Sequence, residues 1–166
     1  MKRALIASAL SLVTSVSALA SPSVLSLDAA SAISCTYSGT ATWKTSNGTT
    51  GTCDMTTTID HRANGEIAVA TVGQCSDGSS RNCHFVIVPG QNDFFDVRDG
   101  SANGNVVGHG YCFGNECHYS AWGHSQEEVL TFNQNDSTLH RVGSSWGHNG
   151  TTTAWTMDLT RTIQAE

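Results

Sequence analysis

The chain has 166 residues, with fourteen acidic residues against eight basic ones and a formal charge of −6. That length suits one domain with a core of its own, and the acidic balance disfavours nucleic acid and anionic membranes, which both present phosphate. Six cysteines, an even number, read as disulfides if the chain is exported.

The first residues answer that condition. Met1-Lys2-Arg3 is a short positive start, Ala4 to Val16 is apolar and small, and Ala18-Leu19-Ala20 offers an A-x-A cleavage site. Residues 1–20 therefore read as a secretory signal peptide, too short to cross a membrane, and no later apolar run is long enough to do so. The expected location is secreted or periplasmic. Removing Lys2 and Arg3 leaves six basic residues against fourteen acids, a charge of −8, with Lys44 the only lysine. Residues 21–34 are small and polar and read as a flexible leader. Residues 35–166 form the folded domain.

From Cys35 onward the chain is β-like: short runs of Thr, Val, Trp, Tyr and Phe broken by Gly, Asn, Asp and Ser. Asn47-Gly48 closes a hairpin of 36–45 with 51–60. Asn64-Gly65 closes the next, with 66–75. Asp77-Gly78 lies between Cys75 and Cys83, and Pro89-Gly90 ends 82–88. Asp99-Gly100 and Asn103-Gly104 follow 93–98. Gly114-Asn115 turns the chain inside 106–124. Gln134-Asn135-Asp136 separates 127–133 from 138–145, and Asn149-Gly150 introduces 151–163. No helical period appears. The result is an all-β fold, an antiparallel up-and-down β-barrel of 8–10 strands stapled by disulfides, since closure hides the edges a meander leaves bare.

Alternation assigns faces. Tyr37, Gly39, Ala41 and Trp43 share one, as do Met55 and Ile59, Ile67 and Val69, and Trp155, Met157 and Leu159. Threonines and serines mixed into this interior suit a lumen with some polar lining as well as they suit a plugged core.

The turn at Gly114-Asn115 sets Phe113 against Glu116 and Cys112 against Cys117, close enough for a disulfide. Cys75 and Cys83 flank a seven-residue stretch and are expected to pair across it, leaving Cys35 to Cys53 by elimination. On the same hairpin His109 and His118 share a face with Tyr111. If that face is the lumen, they could hold a polar head group or a haem iron. Trp-Gly-His occurs twice, at Trp122-Gly123-His124 and Trp146-Gly147-His148. Both copies end strands running the same way with one strand between them, so all four aromatic and imidazole side chains belong to one rim. That patch reads as a ligand gate, a weak metal site or a sugar-stacking platform, or simply as two similar strand-ending turns.

Gly39-Thr40-Ala41-Thr42-Trp43 at the start, the meander, and Trp155-Thr156-Met157-Asp158-Leu159-Thr160-Arg161 at the end resemble the lipocalin-like (calycin) barrels. The resemblance implies that Trp43 and Arg161 form a structural cation–π pair at the closed end of the barrel. It also implies a secreted binder of small, mostly apolar molecules with no cofactor. The chain carries no His-Glu-x-x-His and no phosphate loop. Glu127-Glu128 and the Asp93/Asp96 pair read as solvated surface, and no catalytic residue or resident metal is assigned. The leading expectation is a non-enzymatic binding protein with a small-molecule ligand, its candidate site made of His109, Tyr111, His118, Trp122, His124, Trp146 and His148. The alternatives are a protein-interaction module, such as an enzyme inhibitor using its rim loops, and a haem or metal binder using lumen or rim histidines.

Overall fold

The computed structural model describes residues 34–62, 64–101, 103–113, 116–122, 126–132, 137–147 and 150–162, the side chains of 130–132 excepted. The expected signal peptide, the expected leader up to residue 33, the Gly114-Asn115 turn, His124 and His148 lie outside the described residues, and Ser34 begins the first strand.

Ten strands follow one another: β1 (Ser34–Thr45), β2 (Thr50–His61), β3 (Ile67–Cys75), β4 (Ser80–Pro89), β5 (Phe94–Asp99), β6 (Val106–Phe113), β7 (Glu116–Ala121), β8 (Gln126–Phe132), β9 (Thr138–Trp146) and β10 (Thr152–Thr162). Each pairs antiparallel with its sequence neighbours, and β1 pairs with β10 from Thr36↔Thr162 to Thr45↔Thr153, closing the barrel. Closure leaves no sheet edge free to recruit another chain. The turns use the dipeptides that allow positive φ: Gly48 (90°), Gly65 (83°), Gly78 (81°), Gly100 (67°) and Gly150 (77°). Among the described residues there is no α-helix, and no helix is long and apolar enough to cross a membrane.

The expected faces are the observed ones. Tyr37, Ala41, Trp43, Met55, Ile59, Ile67, Val69, Met157 and Leu159 are buried inside, and the outward parity of β1, β2 and β10 is rich in threonine. One inward row runs in register around most of the wall: Phe95, Gly110, Tyr119, Glu128, Gly143, Trp155, Trp43, Gly51. In it, large rings lie over glycines of the adjacent strand. A Cβ on Gly110 would meet Phe95 at 2.2 Å, one on Gly143 would meet Trp155 at 2.6 Å, and one on Gly51 would meet Trp43 at 2.5 Å. Glycine is required there for space, because a side chain would have to occupy volume the ring already fills.

Two disulfides form, Cys53–Cys75 and Cys112–Cys117, while Cys35 and Cys83 are free thiols. The Cys112–Cys117 bridge follows the expected register, with Phe113 opposite Glu116. The other two expected pairings are corrected. The stretch between Cys75 and Cys83 is a tight turn closed by a Cys75 N–H to Ser79 C=O bond of 2.8 Å, after which the strands pair at once. Cys83 therefore falls opposite Thr71, while Cys75 stands directly opposite Cys53. Cys35 lies opposite Ile59, far along β2 from Cys53.

The Trp43–Arg161 pair is corrected by register as well. Trp43 stands opposite Trp155 and Arg161 opposite Tyr37, a separation along the strand of about 20 Å at ~3.4 Å per residue. Arg161 is exposed at the rim where β1 starts. Peptide mapping of the oxidised protein should recover Cys53–Cys75 and Cys112–Cys117 as the linked peptides, with Cys35 and Cys83 alkylated only as thiols. A Cys75–Cys83 peptide would contradict the β3–β4 register.

Candidate functional site

The interior divides into two halves. Toward the rim where β1 starts, the lumen is filled by Tyr37, Ile59, Ile67, Phe85, Leu139 and Leu159. Toward the rim where β1 ends, a cavity of about 240 Å³ remains between the strands. Its walls are Trp43, Trp155, Met55 and Met157, with Cys83 beside them and Arg141 and Glu128 among the lining groups.

The boundary is a buried polar cluster. Arg141 on β9 donates from Nε and Nη2 to the two carboxylate oxygens of Glu128 on β8, each at 2.7 Å. Its Nη1 reaches across the barrel to the hydroxyls of Thr57 and Thr71, at 2.8 and 2.7 Å. Those hydroxyls are 3.1 Å apart. The Tyr119 hydroxyl donates to Glu128 Oε2 and accepts from Gln126 Nε2 at 3.0 Å. Trp155 Nε1 lies 3.5 Å from Glu128 Oε1. A bidentate, charge-assisted pair with its remaining lone pairs satisfied is the form in which a buried ion pair is tolerated.

Electrostatics follows from that burial. Burial works against the Arg141 charge, yet the Glu128 carboxylate outweighs it and holds the guanidinium above its ordinary value. Burial, then the Glu128 charge, pushes the Tyr119 phenol well above its ordinary 10.0. Burial likewise raises the Cys83 thiol above 9.0, against the opposing pull of Arg141. Both groups are neutral at physiological pH, so neither is a poised nucleophile or base. In the wall of the cavity, Trp43 is 9% exposed and its Nε1–H is buried with no acceptor among the described residues.

The predicted ligand-binding residues lie elsewhere. β6 alternates with Gly108, Gly110 and Cys112 inward and His109, Tyr111 and Phe113 outward. Tyr111 is 44% exposed, and His118 also faces outward from β7. The shared face of His109, Tyr111 and His118 is thus the outer wall and not the lumen. Bridging Cys112 to Cys117 inside the barrel commits Tyr111 and Phe113 on β6 and Glu116 and His118 on β7 to the outside, because strand side chains alternate. Trp122 follows β7 and Trp146 ends β9, both at the rim where β1 ends, as the repeated Trp-Gly-His pattern requires, and both are exposed.

The sequence reading missed the polar cluster. Glu128, taken for surface, is 3% exposed, and Arg141 is 2% exposed. A signal was there: Arg141 shares its strand face with Leu139. What was lacking was the register that sets Glu128 opposite Gly143 and Leu130 opposite Arg141, which brings the two charges onto one diagonal.

No protein-family model matches the chain, and no curated protein sequence matches it. Among solved structures, the S-type phycobiliprotein lyase CPES from Guillardia theta is similar, with a TM-score of 0.58 at 9% identity over 78% of this chain and 88% of that one. At that identity the likeness shows the fold alone, a calycin-like barrel.

Two outcomes follow. Glu128→Ala strands a buried guanidinium and should cost about 3–5 kcal/mol in denaturant unfolding, and Glu128→Gln paired with Arg141→Met should cost less than Glu128→Ala alone. Stability should also decline above about pH 9, measured by the same unfolding curves. There the unfolded chain releases the Cys83 and Tyr119 protons while the folded chain keeps them, so the folded state is the more protonated one and loses ground as pH rises. Cys83→Ser with Tyr119→Phe should flatten that decline.

Proposed function

We propose that the protein is a secreted, non-catalytic binder that holds one compact ligand in the cavity behind the rim where β1 ends. The ligand is mostly apolar and carries at least one hydrogen-bond acceptor. The observation that carries this reading is the cavity lining, where the apolar walls of Trp43, Trp155, Met55 and Met157 adjoin Arg81 and Gln126, whose side-chain N–H groups can donate to a ligand oxygen. A carbonyl or ether oxygen accepting such a bond gains about 0.5–1.5 kcal/mol. The indoles of Trp43 and Trp155 and the thioethers of Met55 and Met157 supply apolar and polarisable contact for the rest of the molecule. A volume of about 240 Å³ lies below the roughly 300–1,000 Å³ of drug-sized sites and selects a small ligand.

The calycin-like fold supports the reading, since the resemblance implies carriage of small apolar molecules. Disulfides are compatible with an oxidising, extracellular setting. The buried charges support a non-catalytic role: Glu128 and Arg141 are occupied by each other, and Tyr119 is neutral and bonded to Glu128.

One observation favours a second reading, a protein-interaction module acting through its rim: Trp122 is 51% exposed and Trp146 43% exposed beside a half-filled lumen. Haem ligation by lumen histidines is set aside, because His109 and His118 stand on the outer wall.

Calorimetry with a compact cyclic ketone and its parent hydrocarbon tests the leading reading. The ketone should bind about fivefold or more tightly than the hydrocarbon, and Ser145→Trp, placed in the cavity lining, should abolish binding of both. Equal affinities, or binding untouched by Ser145→Trp, would move the site elsewhere.

A further inference from the structure

The outer wall of β5 to β9 carries a larger concavity, of about 680 Å³, that the lumen reading leaves unused. Two rows of outward side chains cross it, each in register from strand to strand. One row is Phe94, Tyr111, His118, Val129 and Val142. The other is Asp96, His109, Ser120, Glu127 and Ser144. At ~4.8 Å per strand the rows extend about 19 Å.

The first row is a run of aromatic and aliphatic side chains on the outer wall. Tyr111 and His118 stack with centroids 5.1 Å apart and planes within 6°, and the Phe94 ring follows at 6.0 Å from Tyr111. Phe94 is 61% exposed and Val142 43%, and contiguous exposed apolar surface of this kind marks a contact site. Phe94 is also held outward by a costly turn: Asn92 and Asp93 both adopt left-handed backbone, at φ 55° and 63°, and the Asp93 carbonyl accepts the Cys112 N–H at 2.9 Å. The second row is hydrogen-bonding. His109 Nδ1 lies 3.0 Å from Asp96, and the His109 ring packs on Trp122 at 5.0 Å.

We propose that this groove binds a neutral linear oligosaccharide. A pyranose ring presents C–H groups on its faces and hydroxyls around its edge. The exposed rings of Phe94 and Tyr111 offer the sugar face a surface to stack on, and the adjacent row offers the edge carboxylate, hydroxyl and imidazole partners. Each strand adds one position to both rows, so the site repeats as a polymer repeats. Glu127 within the groove, Asp96 beside it at 3.0 Å from His109, and Glu116 at 3.6 Å from His118 repel polyanions. The one lysine of the mature chain, Lys44, is on β1, away from this wall. A protein partner fits less well, because interface cores exclude charge and half of this groove is a polar row that would have to lose its water.

Calorimetry on the full oxidised protein, with cellohexaose, chitohexaose and maltohexaose as probes and an oligogalacturonate as the acidic counterpart, tests the proposal. At least one neutral hexasaccharide should bind, and the acidic one should bind more weakly. Tyr111→Ala should weaken binding about tenfold, Phe94→Ala should weaken it less, and Val72→Ala, exposed on β3 outside the groove, should leave it unchanged. Because Phe94 is the more exposed ring, Phe94→Ala keeps the test usable if Tyr111→Ala unfolds. Binding of none of the three neutral probes overturns the proposal. So does binding indifferent to both variants, or a concentration-dependent dimer that Phe94→Ala abolishes in a protein without saccharide affinity.

Discussion

The two-oxygen, two-nitrogen contact between Glu128 and Arg141 is what the rest of the interior is arranged around. Neither charge could sit in a lumen of aromatic and aliphatic side chains alone, since desolvating either costs several kcal/mol. Together they need donors and acceptors from other strands, and β2, β3 and β7 provide them through Thr57, Thr71 and Tyr119. A barrel of this kind resists ovalisation, because opposite walls are tied through its middle as well as around its circumference. The same ties divide the interior: one half of the lumen is packed and the other is left as a small cavity with a polar floor.

Around this cluster the wall solves a volume problem. Ten strands enclose more space than aliphatic residues fill evenly, and the chain places rings where space is left and glycines beneath them. Gly143 under Trp155 and Gly51 under Trp43 sit on either side of the cross-strand Trp43–Trp155 pair. Each pairing gives an indole a flat seat and a fixed rotamer, which holds the cavity open. The outer surface has the complementary division, with threonine on the closing strands β1, β2 and β10 and the aromatic and hydrogen-bonding rows on β5 to β9.

Much of the architecture was legible in the amino-acid order. Period-two alternation and Asn-Gly or Asp-Gly turns place the strands within about two residues of their observed ends, and the need to hide edges implies closure. Cys112 against Cys117 followed from a two-residue turn. Readings that needed register between distant strands fared differently. Cys53 meets Cys75 only because β2 and β3 pair through to their ends, and Glu128 finds Arg141 only along a diagonal. For His109, Tyr111 and His118 the shared face was correct, and which side it faced was undecidable from parity alone. The buried Cys112 settles it, because an inward disulfide fixes its neighbours outward. Arg161 sits where the calycin pattern wants an arginine, but its strand has already passed the rim. The arginine that enters this barrel is Arg141, one strand earlier.

The central claim is that a guanidinium is locked in the middle of the barrel. Nitrogen-detected NMR of the arginine side chains at neutral pH tests it most directly. Arg141 should show separately resolved, slowly exchanging Nε and Nη protons, set apart from the averaged signals of exposed Arg62, Arg81 and Arg161. An Arg141 guanidinium that rotates freely and exchanges at the rate of the surface arginines would mean that the pair does not span the lumen, and the division of the interior built on it would fall.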